Sequence, residues 1–145
     1  MVVSVYRSTN RAGGLPGNYW LTMTRPLRRI VMPSNSKRLK VERRDAPIPE
    51  STARATHQLW LAMLQQARPR TRLDMQGDSD AMFFYTTDAA GKTLRGERYG
   101  TGDDGFALAD IGGLLITYGY ASLSERAALA RTIEAKAITL HKRIQ

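Results

Sequence analysis

The sequence predicts an α+β fold: a mainly antiparallel sheet with a central helix and a long C-terminal helix packed on one face. Three observations predict it. β-Branched and aromatic stretches broken by Gly-, Pro- and Asn-rich turns occupy the first 44 residues and recur at 71–99. A helical apolar stripe lies between these regions, and the chain closes on its most regular helical pattern, at 123–144. With 145 residues, 16.2 kDa and no cysteine, the chain is expected to form a single domain spanning 1–145 around one core. A domain of this size buries roughly two thirds of the surface its unfolded chain exposes, so it needs neither disulfide nor metal to hold it.

The elements follow in order. Val2 to Thr9 alternates loosely and is β-branched, and Asn10 to Asn18 (NRAGGLPGN) is a turn-rich connection. In Tyr19 to Thr24, Tyr19, Leu21 and Met23 share one face and Trp20, Thr22 and Thr24 the other; Pro26 marks an edge or a break. Ile30 to Met32 is a further short strand candidate. In Lys37 to Arg44 (KRLKVERR), Leu39 and Val41 point one way and Arg38, Lys40, Glu42 and Arg44 the other, giving one apolar and one mostly basic face. Ala46-Pro47-Ile48-Pro49 is expected to end the strand pattern, and Pro49-Glu50-Ser51-Thr52 to open a helix to about Ala67. Its inner face is expected to be Ala53, His57, Trp60, Leu64 and Ala67. The additional Leu59, Leu61 and Met63 imply cover on more than one side.

Residues 71 to 99 read as three strands: around Leu73, in Ala81 to Thr87 (AMFFYTT) and in Thr93 to Tyr99, the last two joined by a hairpin turn at 88–92. Because Met82 and Phe84 oppose Phe83 and Tyr85, the middle strand is expected to be central or covered. From Asp104 the pattern is helical, with Leu108, Ile111, Leu115 and Tyr118 on one face. Gly112, Gly113 and Gly119 weaken that helix by roughly 1 kcal/mol each unless they permit close packing. Ser122-Leu123-Ser124-Glu125 fits a capping box, and Leu123, Ala127, Ala130, Ile133, Ala137, Leu140 and Ile144 continue as one apolar stripe. That length, about three heptads, suits a terminal helix docked on a sheet better than a coiled-coil dimer.

Charge is segregated along the chain. The formal total is +9; residues 1–47 hold ten Lys/Arg against two acids, whereas 73–110 hold three against eight. Either the molecule is strongly dipolar or the two regions pair with each other. No run approaches the ~20 apolar residues of a membrane span. Arg7 interrupts the N-terminal apolar stretch before it reaches signal-peptide length, so the cytoplasm is the default expectation.

Most motifs that invite a function fail on chemistry. Gly100-Thr101-Gly102-Asp103-Asp104-Gly105 matches G-x-G-x-x-G. Asp103 and Asp104 would set two negative charges where a pyrophosphate must sit, and the preceding TLRGERY is too polar for a buried parallel strand. A turn in which Asp103 or Asp104 caps the next helix is the expected reading. Ala90-Gly91-Lys92-Thr93 imitates the end of a P-loop, but Thr86 stands where the first glycine belongs. Asp78/Asp80 and Asp103/Asp104 do not fit a calcium-loop ladder, and no metal or cofactor is expected. His57, on the apolar stripe, reads as a hydrogen-bonded core histidine rather than a general base, and His141 as a cation complementing a helix C-terminus. With neither cysteine nor a G-x-S-x-G or H-E-x-x-H motif, nucleophilic and zinc-hydrolytic chemistry lack a local signature. Catalytic triads assemble in space, so an enzyme stays open.

The remaining candidate is the basic strand. Arg38, Lys40 and Arg44, with Arg28 near in sequence and Trp20 two strands away, compose a cationic surface with an aromatic platform. The expected function is non-catalytic binding of a protein partner, as in an inhibitor, immunity-type protein, adaptor or chaperone. Its on-rate would be raised by opposite charge. The alternative is nucleic-acid binding by the same face, weakening as salt rises. Oligomeric state is not set by the sequence.

Overall fold

The computed structural model describes residues 2–7, 19–26, 41–66, 81–87, 90, 92–99 and 102–145. Among them the order is β1 (Val2–Arg7), β2 (Tyr19–Pro26), β3 (Val41–Ile48), α1 (Glu50–Gln65), β4 (Ala81–Thr87), β5 (Thr93–Tyr99), α2 (Gly102–Tyr120) and α3 (Leu123–Ile144). The architecture is α+β and the pairing antiparallel, as the sequence predicts. The strands before and after α1 form separate sheets, β1-β2-β3 and β4-β5. The strand candidates at 30–32 and around Leu73 lie outside the described residues.

Register decides which side of the first sheet faces the core. Val5 pairs Leu21 and Leu21 pairs Ala46; Val3 pairs Met23 and Met23 pairs Arg44; Tyr19 pairs Ile48. Opposed residues project to the same side, and on this one Leu21, Met23, Ala46 and Ile48 are buried. β3 runs through Pro47 to Ile48, so the expected stop at Ala46-Pro47 is corrected. Its place at the end of the strand order makes a missing N–H at Pro47 tolerable.

α2 lies against this face through the stripe its sequence spells: Leu108, Ile111, Leu115 and Tyr118, all buried. Its glycines divide by role. A Cβ at Gly119 would sit 2.5 Å from Met23 Cε and 2.7 Å from Sδ, so a larger residue there requires the buried Met23 side chain to shift. Around Gly112 and Gly113 there is open space, so close packing is not their reason. The helix begins at Gly102, which places Asp103 and Asp104 in its first turn rather than at the expected cap.

α3 packs between α1 and α2. Thr52 Oγ1 donates to the Ala130 carbonyl across a sequence separation of 78, and Gln66 Nε2 donates to the Ile144 carbonyl across the same separation, so α1 and α3 run parallel. Asp110 pairs with Lys136 and Asp104 with Arg143, which makes α2 and α3 antiparallel. The Ser122/Glu125 capping box forms. The buried stripe of α3 is Ala130, Ile133, Ala137 and Leu140; Leu123, 80% exposed, and Ala127, also exposed, fall outside it. In these first turns it is Arg126, 5.8 Å from the Tyr118 ring centroid, that lies against α2.

α1 corrects the expected face. Its fully covered positions are Thr52, Ala53, Ala55, Thr56 and Leu59, turned in part to α3, whereas His57 is exposed. The two buried hydroxyls are satisfied: Thr56 donates to the Thr52 carbonyl at 2.8 Å, and Thr52 also reaches Glu134 at 3.3 Å. The Trp60 and Leu64 side meets the second sheet, so cover on two sides, as the extra leucines implied, is what the helix has.

Candidate functional site

The basic strand does not assemble as a cationic face over its described length. Arg28, Arg38 and Lys40 lie outside the described residues. Arg44 projects on the side of Ala46 and Ile48, toward the helices, because the strand extends to Ile48. There its guanidinium lies 4.5 Å from the Tyr120 ring centroid and its Nε donates to Glu42 at 2.8 Å. Trp20, half-buried, opposes Tyr6 and Pro47 and so projects from the other side of the sheet. The structure does not bring Arg44 and Trp20 together. Arg43, on the Trp20 side, bonds Asp45 at 3.1 Å, and Asp45 also accepts the Thr22 hydroxyl. Both arginines are thus matched by carboxylates of their own strand. At these exposures such pairs contribute less than about 1 kcal/mol each but leave little net charge.

Two acids of the middle of the chain with described side chains, Asp104 and Asp110, pair elsewhere. Asp104 meets Arg143 at 2.5 Å and Asp110 meets Lys136 at 2.7 Å, along the seam between α2 and α3. At the end of that seam the Tyr118 hydroxyl donates to the Pro47 carbonyl at 2.6 Å. Burial pushes the Tyr118 phenol above its ordinary value, and the nearby Arg126 charge partly offsets this. On the exposed side of α1, the hydrogen bond and charge of Glu50 raise the Arg54 pKa. His57 is exposed rather than a core histidine, and His141 Nε2 contacts Gln145. Among the described residues no group of three or more His, Cys, Asp or Glu side chains is placed to hold a metal. No helix among them is long and apolar enough to cross a membrane.

The surface that stands out is one the sequence reading assigned to the interior. β4 and β5 pair so that Phe83 opposes Glu97, Phe84 opposes Gly96 and Tyr85 opposes Arg95. One face of this hairpin lies on α1: Phe84 meets Trp60 with ring centroids 6.4 Å apart and planes tilted by 51°. Leu64 packs directly over Gly96, filling the space a Cβ would need. The other face is open among the described residues. Phe83 is 53% exposed and Tyr85 57%, with the Arg95 guanidinium 5.8 Å from the Tyr85 ring centroid. The expected cover of this strand on both faces is therefore corrected on the Phe83 and Tyr85 side; the strand around Leu73 that would make it central lies outside the described residues. The signal lay in the partner strand: Tyr85 and Phe83 pair with the polar positions Arg95 and Glu97 of TLRGERY, whereas Thr86 and Phe84 pair with Leu94 and Gly96.

No family model matches this chain, and comparisons with curated proteins and with solved structures give no match either.

Proposed function

We propose that this protein is a non-catalytic protein-binding domain of inhibitor, immunity-type, adaptor or chaperone-like kind, contacting its partner through the open face of the β4–β5 hairpin. One observation carries the reading: Phe83 and Tyr85, two residues apart on one strand, are each more than half exposed, and an arginine borders them. Single exposed apolar side chains are ordinary on a protein surface. Adjacent aromatics with an arginine are the residue types that dominate binding energy at protein interfaces. The basic strand contributes less than its sequence suggests, since Arg43 and Arg44 are matched by Asp45 and Glu42.

A photo-crosslinking residue in place of Phe83 tests this, with the same residue in place of exposed Ala128 on α3 as control. In lysate of the source cells, a discrete protein adduct from position 83, absent from position 128, is the expected result. Adducts only to nucleic acid, or the same products from both positions, would overturn it.

A further inference from the structure

We infer that the outer side of α2 pairs with the same side of α2 in a second copy of this chain, the two helices running antiparallel about a two-fold axis at Gly113. The contact is separate from the β4–β5 face and stands or falls without it.

The exposed positions of α2 set the symmetry. Its inner side, with Leu108, Ile111 and Leu115, is buried toward the first sheet and α3. Apart from Asp110, the exposed residues among its described side chains are Phe106, Ala109, Gly113, Thr117 and Tyr120. Their spacings of 3, 4, 4 and 3 read the same from either end. A two-fold axis at Gly113 therefore sets Phe106 against Tyr120 and Ala109 against Thr117, ring to ring and small to small, with glycine against glycine at the crossing. Phe106 is 64% exposed and Tyr120 39%. The Thr117 hydroxyl donates to the Gly113 carbonyl at 3.0 Å, so it makes no demand on a partner.

Packing among the described residues of one chain does not account for glycine at the centre of this stripe. Proline aside, glycine is the least favourable residue inside a helix, and a Cβ at Gly113 would meet nothing within 4 Å. A second helix crossing there gives the missing side chain a use, because the two backbones can approach closely. Charge sets the direction. α2 (GDDGFALADIGGLLITYGY) carries no Lys or Arg, so two copies of a molecule of net +9 can meet along it without setting cation against cation. Its acids, Asp103, Asp104 and Asp110, all fall in its first half. A parallel pair would set these carboxylates against their own copies. An antiparallel pair sets the acidic first turn of each helix beside the uncharged last turn of the other, where the Arg44 guanidinium lies 4.5 Å from the Tyr120 ring centroid, and it also opposes the helix dipoles. A contact centred on one helix covers less than the ~800 Å² per partner of a tight complex, so the dimer is weak, with a Kd of about 10–100 μM.

The test uses the full chain, which has no cysteine of its own. In an oxidising glutathione buffer Gly113→Cys should be trapped as a disulfide-linked dimer at least about tenfold faster than Ala128→Cys, which is exposed on α3 and off the stripe. Phe106→Cys should not trap with itself, since antiparallel helices hold its two copies about 21 Å apart, but should trap with Tyr120→Cys when the two chains are mixed. In sedimentation equilibrium between about 1 and 300 μM the wild type should rise from 16.2 kDa toward twice that mass. Gly113→Leu should stay at 16.2 kDa with its Tm unchanged or raised, because the position is open in the monomer. Phe106→Ser should also stay monomeric, which keeps the test intact if Gly113→Leu does not fold. A wild type that is monomeric across the range, a dimer indifferent to both substitutions, or Gly113→Cys trapped no faster than Ala128→Cys overturns the pairing. Self-trapping of Phe106→Cys as fast as that of Gly113→Cys overturns the antiparallel arrangement.

Discussion

Replacing glycine by alanine at three positions of α2 should change stability in opposite directions. In a helix interior Ala is favoured over Gly by about 0.8–1 kcal/mol, because glycine loses more backbone freedom on folding. At Gly112 and Gly113 an added Cβ meets nothing within 4 Å. The double variant Gly112→Ala/Gly113→Ala should therefore gain roughly 1.6–2 kcal/mol, or about 4–8 °C in Tm for a domain of this size. At Gly119 the same propensity gain is opposed by overlap with the buried Met23 side chain, whose Cε and Sδ would lie 2.5 and 2.7 Å away. Overpacking of that kind costs about 1–3 kcal/mol, so Gly119→Ala should be destabilising by about 1 kcal/mol. Urea titration followed by circular dichroism measures each variant, an unchanged m-value securing the comparison. Met23→Ala should cost less in the Gly119→Ala background than in the wild type, because it removes the clashing atoms. If Gly119→Ala stabilises as much as either of the other substitutions, or if the 112/113 pair destabilises, α2 does not meet β2 as described.

Three further outcomes follow from the same packing. Glu125 accepts the Ser122 backbone N–H at 2.9 Å and the Ser122 hydroxyl at 2.6 Å, which lowers its pKa. A depressed folded pKa adds stability above the ordinary carboxylate range that is lost as pH falls through the folded value, so the protection of amides at the start of α3 against exchange, relative to the unfolded chain at the same pH, should fall in acid. Glu125→Gln should flatten that dependence. Tyr118→Phe removes the hydrogen bond to the Pro47 carbonyl and should cost about 1 kcal/mol in urea denaturation. Leu59 and Ile133 are both fully buried, and truncating either to Ala should cost about 2–5 kcal/mol; a loss under ~1 kcal/mol would mean that the α1–α3 layer is not the core.

What the sequence conveyed well was local. β4, β5, the α2 stripe and the Ser122/Glu125 cap sit where periodicity and capping chemistry place them, because those signals depend on near neighbours in the chain. What it conveyed poorly was cover. Phe83 and Phe84 look alike in sequence, and only the presence of α1 on one side of the hairpin separates an exposed ring from a packed one. The same limit misplaced the inner face of α1. Trp60 and Leu64 face the hairpin while Thr52, a polar residue that no hydrophobic pattern selects, fits the junction with α3 because Ala130 and Glu134 accept its hydroxyl. The orientation of the basic ribbon is hidden from the sequence for a related reason. Alternation told which residues share a side of β3, but the extension of the strand through Pro47 decided that Arg44's side was the one turned toward the helices.

The parallel course of α1 and α3 bears on how the chain acquires its shape during synthesis. The wall against which α1 rests is made of residues 78 positions further on, at Ala130 and Ile144. Closing so long a loop is slow compared with forming the neighbouring α2–α3 pair, which needs only a two-residue corner at Ala121 and Ser122. A ribosome-bound chain that has emitted α1 but not α3 therefore holds Leu59 against water, and it settles only after the final helix has left the exit tunnel.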